Sequence, residues 1–174
     1  YGDYMDDDQT ALSLVPEFDN LAVVRTFSKG FGAAGVRLGY CIAQPQIMAA
    51  FHKVNIPFSK NSLADAFAIQ AMQARWAQKT LERVKQDKPK LLAALAECEH
   101  LHVAHTSPGV SISMLYVDDE QINLEKVLSH AGVRVVTCSG YDGLGCNAIR
   151  LNLHEDIDTL TNLVRKADDL VLHA

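Results

Sequence analysis

The sequence predicts an α/β protein. Three observations point to that class. Apolar, β-branched runs (LAVVRTF at 21 to 27, RLGYCIA at 37 to 43) sit beside segments of helical character. A long stretch rich in Ala, Leu, Gln, Lys and Glu runs from Leu63 to about Glu99. Beyond it, strand-like and helix-like segments follow one another across short loops, which gives the second half an α+β look. The change of character near the long helix divides the chain into residues 1–75 and 76–174, joined by that helix.

Taken in order, Leu21–Phe27 lies between Asp19-Asn20 and a cluster of glycines, as suits a buried strand. Arg37–Ala43 is a second short strand, and Pro45 then suits the first turn of a helix, PQIMAAFHKV. NIPFSKNS reads as a loop whose Asn61 or Ser62 caps the next helix. Leu63, Phe67, Gln70, Ala71 and Ala74 share one helical stripe, and Leu81, Val84, Leu91, Leu92 and Leu95 continue an apolar face. Pro89 interrupts it: a proline inside a helix removes a backbone bond at roughly 3 kcal/mol, so a kink or break is expected there. Strands follow at LHVAHT and VSISMLYV, then a helix INLEKVLSHAG closed by Gly132. Strands VRVVTC and AIRLNL precede a final amphipathic helix from about Asp156.

Composition narrows the function classes. The 174 residues are 48% hydrophobic and 21% charged, as in a globular protein, with room for one ordinary domain or a small domain plus part of another. A net charge of -5 argues against a nucleic-acid partner, which needs a basic face. No run of about 18 apolar residues exists to span a membrane. Cys41, Cys98, Cys138 and Cys146 form no C-x-x-C pair, so no metal is expected and the thiols read as those of a cytoplasmic protein. The opening YGDYMDDD, without an initiator Met or signal peptide, reads as a chain entered partway through a domain. Its triplet Asp6-Asp7-Asp8 suits a solvated loop.

The chemistry concentrates in TFSKGFGAAGVRLGY, residues 26 to 40. Gly30, Gly32 and Gly35 spell G-x-G-x-x-G, the spacing of a dinucleotide-binding turn. That reading needs a helix after the third glycine, yet VRLGYCIA reads as a strand. It also needs an acidic residue about 20 positions on, and no Asp or Glu occurs between Asn20 and Ala64. The dinucleotide reading is therefore rejected. The alternative starts from Lys29, flanked by Thr26 and Ser28 and followed by glycines and Arg37. Such a set suits a phosphate cofactor that carries an aldehyde: the amine condenses with the aldehyde, and hydroxyls and guanidinium hold the phosphate. On spacing alone, a surface lysine at a strand end fits equally well.

The pattern S-K-x-F-G-x-A-G-x-R-x-G-Y, Ser28 to Tyr40, closely resembles the pyridoxal-phosphate lysine motif of fold-type I, class I/II aminotransferases. It is most similar to the branch holding histidinol-phosphate aminotransferase and threonine-phosphate decarboxylase. CSGYDGLGCNAIRLNL, ending at Leu153, resembles the family's last active-site strand, and Tyr1 falls where the tyrosine of its D-x-x-Y segment belongs. The resemblance covers nearly the whole chain. It implies the C-terminal part of the pyridoxal-phosphate-dependent transferase fold: the end of the large parallel-sheet domain, then the small α+β domain. The aspartate partner of Tyr1 would lie just before this chain begins.

Carried over by position, the resemblance implies that Lys29 binds pyridoxal 5'-phosphate covalently and moves the catalytic proton. Tyr1 would hydrogen-bond the cofactor's phenolic oxygen. Thr26 and Arg37 would bind its phosphate, with Ser28 as a weaker partner. Arg150 would grip the substrate carboxylate through its rigid fork; a strand arginine in a salt bridge is the alternative. The implied activity is transamination between an amino acid, or histidinol phosphate, and a 2-oxo acid in amino-acid biosynthesis, by a cytoplasmic homodimer. One departure matters. Histidinol-phosphate enzymes show an arginine thirteen residues before the counterpart of Arg150, and here that position is Thr137. An anionic phosphate substrate thereby loses a partner, so a plain amino acid fits at least as well. A decarboxylase on the same cofactor and an aminotransferase-like effector-binding domain stay open as alternatives.

Other conspicuous residues have plainer readings. In HLHVAH, His100 and His102 share a strand face and His105 points the other way, which suits a surface edge better than a metal site. His154 reads as structural, and Phe67 and Trp76 as helix packing.

Overall fold

The β-branched run at the start of the glycine stretch forms strand β1 (Ala22–Thr26), which pairs antiparallel with β2 (Gly39–Ala43) from Ala22↔Ala43 to Thr26↔Gly39. The structure, a computed structural model, describes residues 2–4, 10–57, 59 and 62–174. Tyr1, Asp6, Asp7, Asp8 and Asn61, singled out above, lie outside the described residues. The chain divides into two units, Tyr1–Glu82 and Arg83–Ala174.

In the first unit the ladder between β1 and β2 extends one step further, through Phe27 N–H donating to Leu38 O at 3.0 Å. Buried Phe27 packs against Phe31 and Tyr40, with ring centroids 4.5 and 6.0 Å away. Helix α1 (Pro45–Val54) starts with Pro45 in its first turn, where the missing N–H costs nothing, and ends with His52 and Lys53 at its negative pole. Gln44, just before it, donates to the carbonyls of Val15 and Pro16 at 3.0 and 3.2 Å.

The long helical stretch is two helices, α2 (Ser62–Gln73) and α3 (Trp76–Ala96), and the break corrects the expectation at Pro89. Arg75 takes a left-handed φ of 55°, which ends α2, while α3 runs on through Pro89. Val84, Lys88, Leu91 and Leu95 are buried along one stripe of α3. Each buried leucine or valine is worth about 1.5–3 kcal/mol, so together they outweigh the roughly 3 kcal/mol lost at one proline. Phe67 and Trp76 meet edge to face at 5.4 Å across the break, in the packing role read from the sequence.

The second unit is a four-stranded antiparallel sheet in the order β3 (His102–Val103), β4 (Ile112–Tyr116), β6 (Ala148–Asn152), β5 (Val136–Thr137). Alternation sends Ser113, Leu115, Ile149 and Leu151 to one buried face and Met114, Tyr116, Ala148 and Arg150 to the other. Helices α4 (Leu124–Ala131) and α5 (Ile157–Val171) pack together, burying Leu124, Val127, Leu128 and Ala131 from one and Leu160, Val164, Ala167 and Val171 from the other. Asn123 and Asp156 cap their N-termini by accepting the N–H of Lys126 and Thr159. Gly132 closes α4 at φ 105°, as its position in the sequence led one to expect.

Two buried charges fix the edges of this unit. Asp168 of α5 accepts three backbone N–H groups, from Glu99, His100 and Leu101, at 2.7–2.9 Å, and so holds the chain entering β3. Lys88 is fully buried and donates to the carbonyls of Val110 and Ile112 at 3.0 and 2.7 Å. Burial pulls its amine down to about 8. All four cysteines are free thiols, and no helix among the described residues is long and apolar enough to cross a membrane.

Candidate functional site

The end of the β1–β2 ladder gathers four of the residues singled out. The register that pairs Thr26 with Gly39 leaves Ser28, Lys29 and Arg37 in the connection between the two strands. Thr26 Oγ1 accepts the Ser28 N–H at 3.0 Å and lies 2.9 Å from Ser28 Oγ, a turn that brings both hydroxyls to one place. Lys29 comes next in the turn, exposed, with its carbonyl accepting the Gly32 N–H at 2.8 Å. After Gly35 only a short 3-10 turn, Ala34–Val36, intervenes before β2. The helix that a dinucleotide-binding turn requires does not form.

Arg37 is the strained member. It holds φ 56° and ψ 50°, a left-handed conformation that costs a side-chain-bearing residue on the order of 1–3 kcal/mol. Its Nη1 donates to the Ala34 carbonyl at 2.9 Å, and the residue is exposed. The glycines around it have separate reasons. Gly32, at φ 62°, is bound by conformation and has open space where a Cβ would stand. Gly39 is bound by space: a Cβ there would meet the Arg25 carbonyl oxygen at 2.6 Å.

Two hydroxyls, a guanidinium, an amine and open backbone at glycine, in a stretch with no Asp or Glu from 21 to 63, form a donor set for a dianionic phosphate beside an aldehyde. The residues present fit pyridoxal 5'-phosphate in their chemistry.

Arg150 belongs to the second unit. It lies at the centre of β6, opposite Met114 of β4 and Val136 of β5. Its side chain is half-buried and its Nε is buried without a hydrogen bond. Among the described residues no carboxylate pairs with it, so the salt-bridge alternative finds no partner there. Burial pushes the nearby Cys138 thiol up, and the Arg150 charge opposes that shift. Thr137, where an arginine was looked for, ends β5 in a turn of its own: its hydroxyl lies 3.2 Å from Ser139 Oγ and accepts the Ser139 N–H at 3.3 Å.

One feature of this face was missed in the sequence. A cavity of about 560 Å³ is lined by Met114, Tyr116, Glu120, Leu144 and Ala148 with the glycines Gly143 and Gly145. The strand pattern of SISMLY held the signal, since it sets Met114 and Tyr116 on the face opposite Leu115. The loop from 139 to 147 has no periodicity to read. His102 of β3 stacks on Tyr116 at 5.4 Å and pairs with Asp118 at 3.6 Å, which accounts for one histidine of the cluster.

Comparison with known proteins places the chain in a family. The model of the family described as aminotransferase class I and II matches residues 1–166. Histidinol-phosphate aminotransferase 1 of Cupriavidus pinatubonensis (strain JMP 134 / LMG 1197) is 33% identical over 144 residues, covering 81% of this chain and 38% of that protein. The aromatic amino acid aminotransferase of Mycobacteroides abscessus is 40% identical over 101 residues, 56% of this chain and 28% of that protein. The crystal structure of L-threonine-O-3-phosphate decarboxylase from Porphyromonas gingivalis superposes with a TM-score of 0.81 at 19% identity, covering 100% of this chain and 53% of that one. The chain spans less than half the length of these curated relatives.

Proposed function

Since the chain belongs to the class I and II aminotransferases, whose cofactor is pyridoxal 5'-phosphate, we propose that it supplies the cofactor lysine and the carboxylate-binding arginine of a transaminase acting between an amino acid and a 2-oxo acid in amino-acid biosynthesis. The observation that supports the reading is that the touching Thr26 and Ser28 hydroxyls, Lys29 and the left-handed Arg37 all belong to the segment that runs from the end of β1 to the start of β2.

When bound, pyridoxal 5'-phosphate supplies an aldehyde for amines and a pyridinium ring that accepts electrons from the substrate α-carbon. Arg37 and the two hydroxyls would hold the phosphate through charge-assisted hydrogen bonds. The Lys29 amine holds the cofactor between turnovers. The same amine would be the base that takes the proton from the substrate α-carbon and passes it to the carbon that bore the aldehyde. Tyr1, by the family resemblance, would hydrogen-bond the phenolic oxygen. Arg150 would orient the substrate by two parallel hydrogen bonds from its guanidinium to the carboxylate.

The relatives' names bring two amino donors to this site, histidinol phosphate and aromatic amino acids. A homodimer is the assembly proposed with them. The same fold also carries a decarboxylase, and the fold alone does not separate the two reactions; carbon dioxide release measured against amino-group transfer does. The test of the main reading is reconstitution with pyridoxal phosphate. Lys29→Ala should abolish the visible absorbance of the lysine-bound cofactor, while Lys53→Ala should keep it. Equal absorbance in both variants sinks the proposal.

A further inference from the structure

On the open face of the second sheet, Arg150 has neighbours with a shape of their own. Two residues along β6 from Arg150, on the same face, stands Ala148, and across from Ala148 stands Tyr116. Met114 stands directly across from Arg150. Met114, Tyr116 and Ala148 form one side of the cavity of about 560 Å³, and Leu144 with its flanking glycines forms the other. That volume is in the range of small-molecule sites.

The cavity is held open by bonds rather than by chance. Asn147 donates from Nδ2 to the Val117 carbonyl at 2.7 Å, which ties the loop to the end of β4. Gly143 holds φ 82°, a backbone conformation that side chains rarely adopt, and a side chain at Gly145 would press on Asn147 Oδ1, 2.8 Å away. The His102 ring, paired across from Tyr116, lies tilted against it on the same face. The floor is Ala148, where any larger side chain would fill the space.

Its charge is one-sided. Glu120 is the one ionisable carboxylate among the described lining residues, and no Lys or Arg is among them. Arg150, outside that lining but two residues along β6 from Ala148 and across from Met114, offers a single guanidinium, enough for one carboxylate. A second anionic group entering the cavity would face Glu120 without a cation, whereas a ring would rest on Met114, Leu144 and Tyr116.

Resting on the reading of Arg150 as the carboxylate anchor, we propose that this cavity receives the side chain of the amino donor and selects uncharged, ring-sized side chains over anionic ones. Met114, Leu144 and Glu120 are then specificity-determining residues. A phosphate ester is disfavoured on the same ground, since its charge of about -2 exceeds what Arg150 alone balances.

The test is equilibrium binding of two amine-free probes to the full chain, 3-phenylpropionate and glutarate, by calorimetry or by shifts of backbone resonances. The expected result is tighter binding of 3-phenylpropionate by about tenfold, the scale on which pocket contacts discriminate. Arg150→Gln should weaken both probes, and Leu144→Arg should reverse their order. Glu120→Gln, an exposed and conservative change, should narrow the gap without altering the fold. Equal affinity of the two probes, absence of binding, or an unchanged ratio in Glu120→Gln each overturns the proposal. The aminotransferase reading fails separately, if probes bind as stated but Lys29 never takes up the cofactor.

Discussion

Arg37 joins two demands at one position, a left-handed backbone and a guanidinium. Glycine would meet the first better and the second not at all. Arg37→Gly is therefore expected to raise resistance to urea by about 1 kcal/mol, because the left-handed penalty disappears. The same change should weaken cofactor retention by roughly ten- to a hundredfold, the loss of a charged hydrogen bond worth about 1.5–3 kcal/mol. Both are read from one protein sample, by urea unfolding and by cofactor titration; retained affinity would remove Arg37 from the phosphate site. Gly39 gives the opposite case. Gly39→Ala would drive a methyl against the Arg25 carbonyl, 2.6 Å away, and should loosen the β1–β2 ladder at about 1–3 kcal/mol of stability. At this scale the sequence was informative about chemistry and less so about cause. The lysine, hydroxyls and arginine could be picked out by their spacing, but only the backbone shows that Gly39 makes room for a neighbouring strand.

Element boundaries divide in the same way. Pro45, Gly132 and Asp156 mark helix ends by local chemistry, and the helices begin and end where those residues put them. The Ala74-Arg75 break carries no such mark, since both are good helix formers and only the left-handed Arg75 betrays it. Pro89 misleads for the converse reason: packing along α3 outweighs its local cost. Nothing in the sequence pattern shows that Lys88 and Asp168 are buried, because their partners are backbone groups far along the chain. Lys88 makes a pH prediction. Its folded value of about 8 lies below the ordinary 10.5, so between these values the unfolded chain binds the extra proton. Stability from this group therefore rises as pH climbs from about 8 toward 10.5, and is lowest below 8. Urea unfolding at pH 7 to 10 should show that rise in the natural chain and not in Lys88→Met; parallel pH curves would contradict it. Asp168→Ala, which strands three N–H donors, should cost about 3 kcal/mol or more, with exchange protection lost first at Glu99 to Leu101.

On the scale of the molecule, the first unit leaves much apolar surface open. Val24, Val54 and Ile56 are 73–77% exposed, and with Met48 and Phe51 they line a groove of about 700 Å³. Among the described strands, β1 and β2 pair only with each other, so each keeps an unpaired edge. Surface of this kind favours association. The 174 residues expressed by themselves are expected to associate and to show no turnover with added pyridoxal phosphate, as judged by sedimentation and an amino-donor assay. A monodisperse monomer with turnover would show that the open face needs no cover. The central claim, however, rests on one amine. Borohydride reduction of the enzyme carrying this chain, reconstituted with pyridoxal phosphate, followed by peptide mapping, tests it most directly. The label is expected on Lys29, within the peptide that runs from Thr26 to Arg37; a label on any other lysine, or none on this peptide, would contradict the account.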